Sequence, residues 1–225
     1  MQVVIFGAGT LAKLAFYYLT QDMKQKVYGF VVDKKSSIEK IPSSLCERPV
    51  YIWEDFLDLY GPGDVQIFVA VAYKSMRNRL LAFEKIKKHN YEFINIVSNT
   101  AFLSHNSIIG NNNFIMPGVV LEPGTSIGSN NLIWSNTTIC HDSEIGNHNF
   151  FGANFTMGGF SKIGNLCFFG FSSTISDKIT VGDEVLLAAN SFLNSNARKL
   201  TRLQGIPAKE YSEIDPEKGI NFFLN

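Results

Sequence analysis

The chain has 225 residues, with 20 Lys plus Arg against 20 Asp plus Glu, and 45% of its side chains are hydrophobic. A formal charge of zero argues against an electrostatic grip on nucleic acid or an anionic membrane, and no apolar run reaches the ~18–20 residues of a membrane span. The three cysteines, Cys46, Cys140 and Cys167, lack CxxC spacing, which argues against a disulfide framework or a structural zinc site and for a reducing compartment.

The opening stretch, MQVVIFGAGTLAKLAFYYL, has neither the basic n-region nor the small-residue cleavage site of a signal peptide, so a cytoplasmic protein without membrane insertion is expected. VVIFG reads as a buried strand and TLAKLAFYYLTQ as a helix with one apolar face. KVYGFVVD and VQIFVAVAY read as further strands, and SMRNRLLAFEKIKKHN as a second amphipathic helix. This alternation over residues 1–96 predicts a small parallel sheet covered by helices, a Rossmann-like α/β domain. Within it GAGTLA follows a strand and opens a helix, a placement that suits phosphate at a helix N-terminus beside Gly7 and Gly9. A side chain at Gly9 is expected to crowd the turn. Asp33 ends the next strand, where a carboxylate can meet a ribose hydroxyl. A tight β–α turn explains the glycines equally well, and ~96 residues are short for a dinucleotide fold, which favours a mononucleotide or nucleotide sugar.

From Val97 the rule changes. Every sixth residue is apolar, from Val97, Leu103 and Ile109 without interruption to Leu187 and Leu193, and Gly110, Gly128, Gly146, Gly164 and Gly182 recur every 18. Three hexapeptides therefore make one coil of an all-β, left-handed parallel β-helix over residues 97–195, followed by a tail, 196–225. Asn95, Asn113, Asn131, Asn149 and then Cys167 form an inward column, expected to stack as a polar ladder ending in a buried thiol. Outward side chains alternate with inward ones. Ile108, Ser126, Glu144, Lys162 and Thr180 suit a solvated face. Phe114, Leu132, Phe150, Phe168 and Leu186 form an apolar column, read as an oligomer interface with cover by the chain's own tail as the alternative. Beside it Met116, Trp134, Gly152, Gly170 and Ala188 become nearly bare, a strip against which an extended ligand could lie. Close backbone packing between subunits is the plainer explanation.

Of four histidines, His89 reads as a surface residue of its helix and His148 as structural, in an Asn-rich turn. His105 lies two coils from His141, about 10 Å at the spacing of adjacent strands. His141 follows Cys140 at a corner in ICHDSEIG, where an imidazole can reach outward as a general base, with Asp142 orienting it. His and Asp are also ordinary turn residues.

The short Rossmann-like domain, the hexapeptide repeat carrying HDSEIG, the segment VAVAYKSMRNR and the terminal GIPAK together resemble the bacterial sugar O-acyltransferases of the sialic-acid acetyltransferase type, which include nucleotide-amino-sugar N-acetyltransferases of surface-glycan (O-antigen, lipopolysaccharide or capsule) synthesis. The resemblance implies a homotrimer that takes an acyl group from acetyl-CoA bound between subunits. His141 would be the base and Asp142 its assistant. Acetyl-CoA would lie along Gly152, Gly170 and Ala188 and on Gly205, Pro207 and Lys209. The sugar nucleotide would lie at Gly7, Gly9, Thr10 and Asp33. No metal is expected, and backbone N–H groups near Gly152 or Gly170 would stabilise the oxyanion. The chain departs from the pattern where some members have an Asn seven residues before the histidine and a second His nine after it: here stand Trp134 and Phe150. O-acetylation of a free sugar and a non-catalytic sugar-nucleotide scaffold are the alternatives.

Overall fold

Strand β1 (Gln2–Phe6) opens the chain, and the computed structural model describes residues 2–34 and 41–222. Helix α1 (Thr10–Tyr17) runs on as a π-helical turn to Asp22, and β2 (Val27–Val32) follows. A hairpin of β3 (Ser44–Leu45) and β4 (Arg48–Ile52) leads into α2 (Trp53–Leu59). The domain is completed by β5 (Val65–Val69), α3 (Met76–Lys88) and β6 (Glu92–Phe93). The sheet order is β3-β4-β2-β1-β5-β6, parallel throughout except for the β3–β4 hairpin. With β3 set aside, this is the order of doubly wound nucleotide-binding sheets, and its switch point falls between β1 and β5.

Continuous apolar strands such as VVIF need cover on both faces, and they have it. On one side Val4, Phe6, Val31 and Ile67 pack with Trp53 and Phe56 of α2 and Ile86 of α3. On the other, Val3, Ile5, Phe30 and Phe68 pack with Leu11 and Ala15 of α1 and with the second half of the chain.

That second half is a parallel β-helix. Two-residue strands pair with strands one coil away in an unbroken register of 18, as in Phe114↔Leu132, Leu121↔Ile139 and Ile127↔Ile145. They build three sheets, which start at Ile96–Val97, Phe102–Leu103 and Ile108–Ile109. The six-residue stride fills the interior with Ile115, Leu121, Ile133, Ile139, Phe151, Met157 and their successors, all buried. The asparagine ladder forms as expected: the N–H groups of Asn113, Asn131, Asn149 and Cys167 each donate to the Asn side-chain oxygen one coil back, at 2.8–2.9 Å. Cys167 ends it, donating Sγ–H to the Gly182 carbonyl at 3.1 Å, and burial pushes its thiol pKa up to about 12.

The expected oligomer interface is instead an internal seam. Phe114, Leu132, Phe150 and Leu186 are buried within the single chain. Phe68 and Tyr18 meet Phe114 at centroid distances of 5.6 and 5.4 Å, and Tyr73 meets Phe150 at 4.3 Å. The α/β domain, not a second copy, covers the column. The tail helps at the far end, where Phe222 meets Phe168 at 4.8 Å. Thr201–Gly205 joins the sheet beside Leu186–Leu187 and pairs antiparallel with Ala208–Glu213. The chain then returns to the α/β domain, where Met76 N–H donates to Ile220 O at 3.1 Å and Arg77 pairs with Glu184 at 2.7 Å. Among the described residues no helix is long and apolar enough to cross a membrane.

Candidate functional site

The ends of β1 and β5 lie side by side at the switch point, and this forces the first glycine. Gly7 has φ 125°, and a Cβ there would lie 2.8 Å from the Ala70 carbonyl oxygen. Its N–H donates to Val31 O at 2.7 Å, so the β1–α1 turn is held against both neighbouring strands. Gly9 is different. It is the N-cap of α1, and a Cβ there would meet nothing within 4 Å, so crowding of the turn is not what selects glycine at this position. No side chain caps α1, which leaves its first N–H groups for an anion.

Gly7, Gly9, Thr10 and Asp33 line one cavity of about 1090 Å³, at the upper end of the ~300–1,000 Å³ typical of small-molecule sites. Sequence reasoning missed Lys85, which reaches in from α3 to form an ion pair with Asp33 and lies 5.1 Å from the Trp53 ring centroid. Lys74 and Tyr73 line another part of the wall. Of the β-helix, Trp134 alone among the described residues lines this cavity. Phe150, the other departure from the family pattern, is buried beneath Tyr73.

His141 and Asp142 lie elsewhere, at the corner between the sheets that contain Thr138–Ile139 and Glu144–Ile145. Asp142 takes the left-handed turn position at φ 56°. The backbone is pinned from the preceding coil, with His141 N–H donating to Glu122 Oε2 at 2.8 Å. Asp142 Oδ2 accepts from His141 Nδ1 at 3.0 Å, which leaves the lone pair on Nε2. Both side chains are about half exposed, at 50% and 53%. One coil further on stands Gly159, where a Cβ would lie 3.0 Å from both Cε1 and Nε2 of the imidazole. The Gly159 N–H has no acceptor among the described residues. Counting 18 from His141 would have found this glycine in the sequence. Cys140 beside it is a poor nucleophile, because burial and then Glu122 raise its pKa.

The bare column does not supply an oxyanion hole. Gly152 and Gly170 N–H donate to Phe169 O and Leu187 O at 2.8 Å, and Ala188 N–H to Leu203 O at 2.9 Å, so all three are consumed by the coil ladder. Both glycines are there because the next coil presses on them: a Cβ would lie 2.7 Å from Phe171 N or 2.4 Å from Ala189 N. The packing responsible is within one chain, not between subunits. Gly205, with φ 100°, and the exposed Pro207 and Lys209 form the tip of the final hairpin.

The remaining histidines are accounted for. His105 is exposed, and His89 ends α3 against Trp53 at 5.2 Å. His148 is buried and accepts from Asn130 Nδ2 at 2.9 Å. Burial, with Arg79 and Lys87 nearby, lowers its pKa to about 4. The structure thus brings the four expected nucleotide residues together and the two expected catalytic residues together. It does not join the two groups within one chain.

Residues 106–141 and 124–159 match the bacterial transferase hexapeptide model (six repeats). No curated protein sequence matches the chain. Among solved structures it is similar to PerB from Caulobacter crescentus in complex with CoA and GDP-perosamine, at 22% identity and a TM-score of 0.82 over 94% of this chain and 98% of that one. The acetyltransferase domain of PglB from Neisseria gonorrhoeae, in complex with acetyl coenzyme A, gives 20% and 0.81 over 93% and 98%. WeeI from Acinetobacter baumannii gives 17% and 0.66 over 94% and 100%. At these identities the likeness establishes a shared fold across both halves of the molecule.

Proposed function

We propose that the chain is an acetyl-CoA-dependent N-acetyltransferase that acts on a nucleotide-linked amino sugar in bacterial surface-glycan synthesis. The observation that carries this reading is the corner at His141: an imidazole with Nδ1 engaged by Asp142 at 3.0 Å, Nε2 without a partner among the described residues, and Gly159 packed against it with its N–H equally unengaged. It stands on a fold whose solved relatives hold CoA with GDP-perosamine or acetyl coenzyme A.

In this reading the sugar amine attacks the thioester carbonyl while Nε2 accepts the proton that the amine loses. Asp142 stabilises the imidazolium so formed. Gly159 N–H, in place of Gly152 or Gly170, donates to the carbonyl oxygen as it becomes an oxyanion. Collapse of the intermediate breaks the carbon–sulfur bond, and the imidazolium returns its proton to the leaving thiolate, giving an amide and free CoA. Lys209 on the exposed hairpin is open to the phosphates of CoA. The uncapped start of α1 takes the sugar nucleotide's diphosphate, and Asp33, braced by Lys85, takes its ribose.

A homotrimer fits the separation of cavity and corner, because a neighbouring copy can bring one to the other. Its interface uses surfaces other than the buried Phe114–Leu186 column. Release of free thiol from acetyl-CoA, measured across a panel of nucleotide amino sugars with sedimentation in parallel, tests both parts. A folded protein that binds these sugars and acetyl-CoA but releases no thiol above background contradicts the enzymatic reading.

A further inference from the structure

Phe160 follows Gly159 and occupies a left-handed corner position, φ 59°, in the column Gly124, Asp142, Phe160, Lys178. Other corners of the β-helix give this conformation to Asn112, Asn130, Asn136, Asn154 and Asn190, the residue type that adopts it most cheaply after glycine. A bulky apolar side chain is costly there. Leu166 shares the anomaly, but it packs into the seam between the domains. Phe160 has no such return, because the residue is 53% exposed. What it does contact is His141: the two rings stand perpendicular with centroids 5.0 Å apart, and Phe160 N–H donates to His141 O at 3.1 Å. Strain, exposure and this one aromatic contact coincide at a single residue.

We infer that Phe160 is a positioning residue for His141. Asp142 fixes the imidazole at Nδ1, and the Phe160 ring blocks its swing on a second side, so that Nε2 stays directed past Gly159. The ring also keeps water from that flank of the base. This rests on the reading of His141 as the general base, and it predicts that the local strain is exchanged for geometry at the reacting nitrogen.

The test uses Phe160→Asn, which suits the backbone, and Phe160→Tyr, which keeps the ring. Phe160→Asn should leave the oligomer intact and hold or raise Tm by roughly 2 °C. It should lower kcat roughly tenfold with KM for both substrates little changed. Phe160→Tyr should recover most of that loss. In NMR spectra the His141 ring protons should lose their ring-current shift in Phe160→Asn and keep it in Phe160→Tyr. Undiminished kcat in Phe160→Asn, or unchanged His141 resonances, overturns the inference. So does a lower Tm or dissociation into monomers, since Phe160 would then be a packing or interface residue. If wild-type protein transfers no acyl group to any acceptor, the base assignment falls, and the His141 resonances still decide whether the contact exists.

Discussion

The cavity at the β1–β5 switch point and the corner at His141 differ in how much of a site each makes within one chain. The cavity, about 1090 Å³, carries a carboxylate, lysines and an uncapped helix start. The corner has an imidazole, its carboxylate partner and one N–H without an acceptor among the described residues, but half of each side chain faces solvent. In the proposed reading the α/β half supplies recognition and the β-helix supplies chemistry. The seam between them is too apolar to be a mobile joint: Phe68, Tyr18 and Tyr73 are packed directly on Phe114 and Phe150. Substrate must reach from one locus to the other, or another copy must bring the second locus to it.

The largest effect should come from breaking the seam that fixes the two loci. Phe150→Ala empties a fully buried position in contact with Tyr73 and Phe168. It should cost about 3–5 kcal/mol in urea unfolding. A loss of oligomer with unchanged stability would restore the interface role that the structure takes from this column.

Nucleotide binding can be weakened while acetyl-CoA affinity holds. Gly7→Val puts a side chain at φ 125° against the Ala70 carbonyl, and it should weaken binding of nucleoside diphosphates by at least tenfold, about 1.4 kcal/mol. Acetyl-CoA affinity, measured by calorimetry on the same protein, should hold. Gly9→Ala should leave Tm nearly unchanged, in contrast to Gly7→Val, because its Cβ meets open space.

The seam also carries a pH dependence. Burial lowers the His148 pKa in the folded chain to about 4, from an ordinary value of about 6.5. Between these values the unfolded chain binds the extra proton, so stability rises with pH across that window and is lost as pH falls from about 6.5 to about 4. The contribution is on the order of 3 kcal/mol. Asn suits the left-handed position of His148 and extends the column Asn112, Asn130. The wild-type curve minus that of His148→Asn should therefore be flat above pH 7 and fall below it. Parallel curves from pH 4 to 7 would contradict the assignment.

A smaller change at the chemical locus is Gly159→Ala. Its Cβ would stand 3.0 Å from Nε2, and kcat should fall roughly tenfold with Tm preserved. An equal loss in KM and none in kcat would move the oxyanion donor elsewhere.

The β-helix was legible because each coil repeats the one before, so a stride of six and a period of 18 specify strands, corners, core and the Asn ladder together. What covers the Phe114 column depended on contacts with residues far away in sequence, and periodicity carries no information about those. The β3–β4 hairpin escaped for a local reason: its turn places Cys46 and Glu47 at φ 48° and 59°, without the Gly or Asn that usually marks such a turn. Lys85 lies 52 residues from Asp33, a pairing that only the fold reveals. His141 and Asp142 were readable because they are adjacent. That the N–H groups of Gly152 and Gly170 are taken by the coil ladder was not readable, because a small residue that admits a ligand and one that admits the next coil look alike in sequence.

In the proposed reading recognition and chemistry occupy separate loci, with His141 serving the second. His141→Asn tests it most directly, because Asn fits a corner of this repeat. Tm, oligomeric state and affinity for both nucleotide sugar and acetyl-CoA should match wild type, while kcat falls by roughly 10² to 10⁴. A variant that keeps near-normal turnover on a verified acceptor would make His141 only a corner residue. One that loses nucleotide-sugar affinity in proportion to turnover would show that the two loci are not separate.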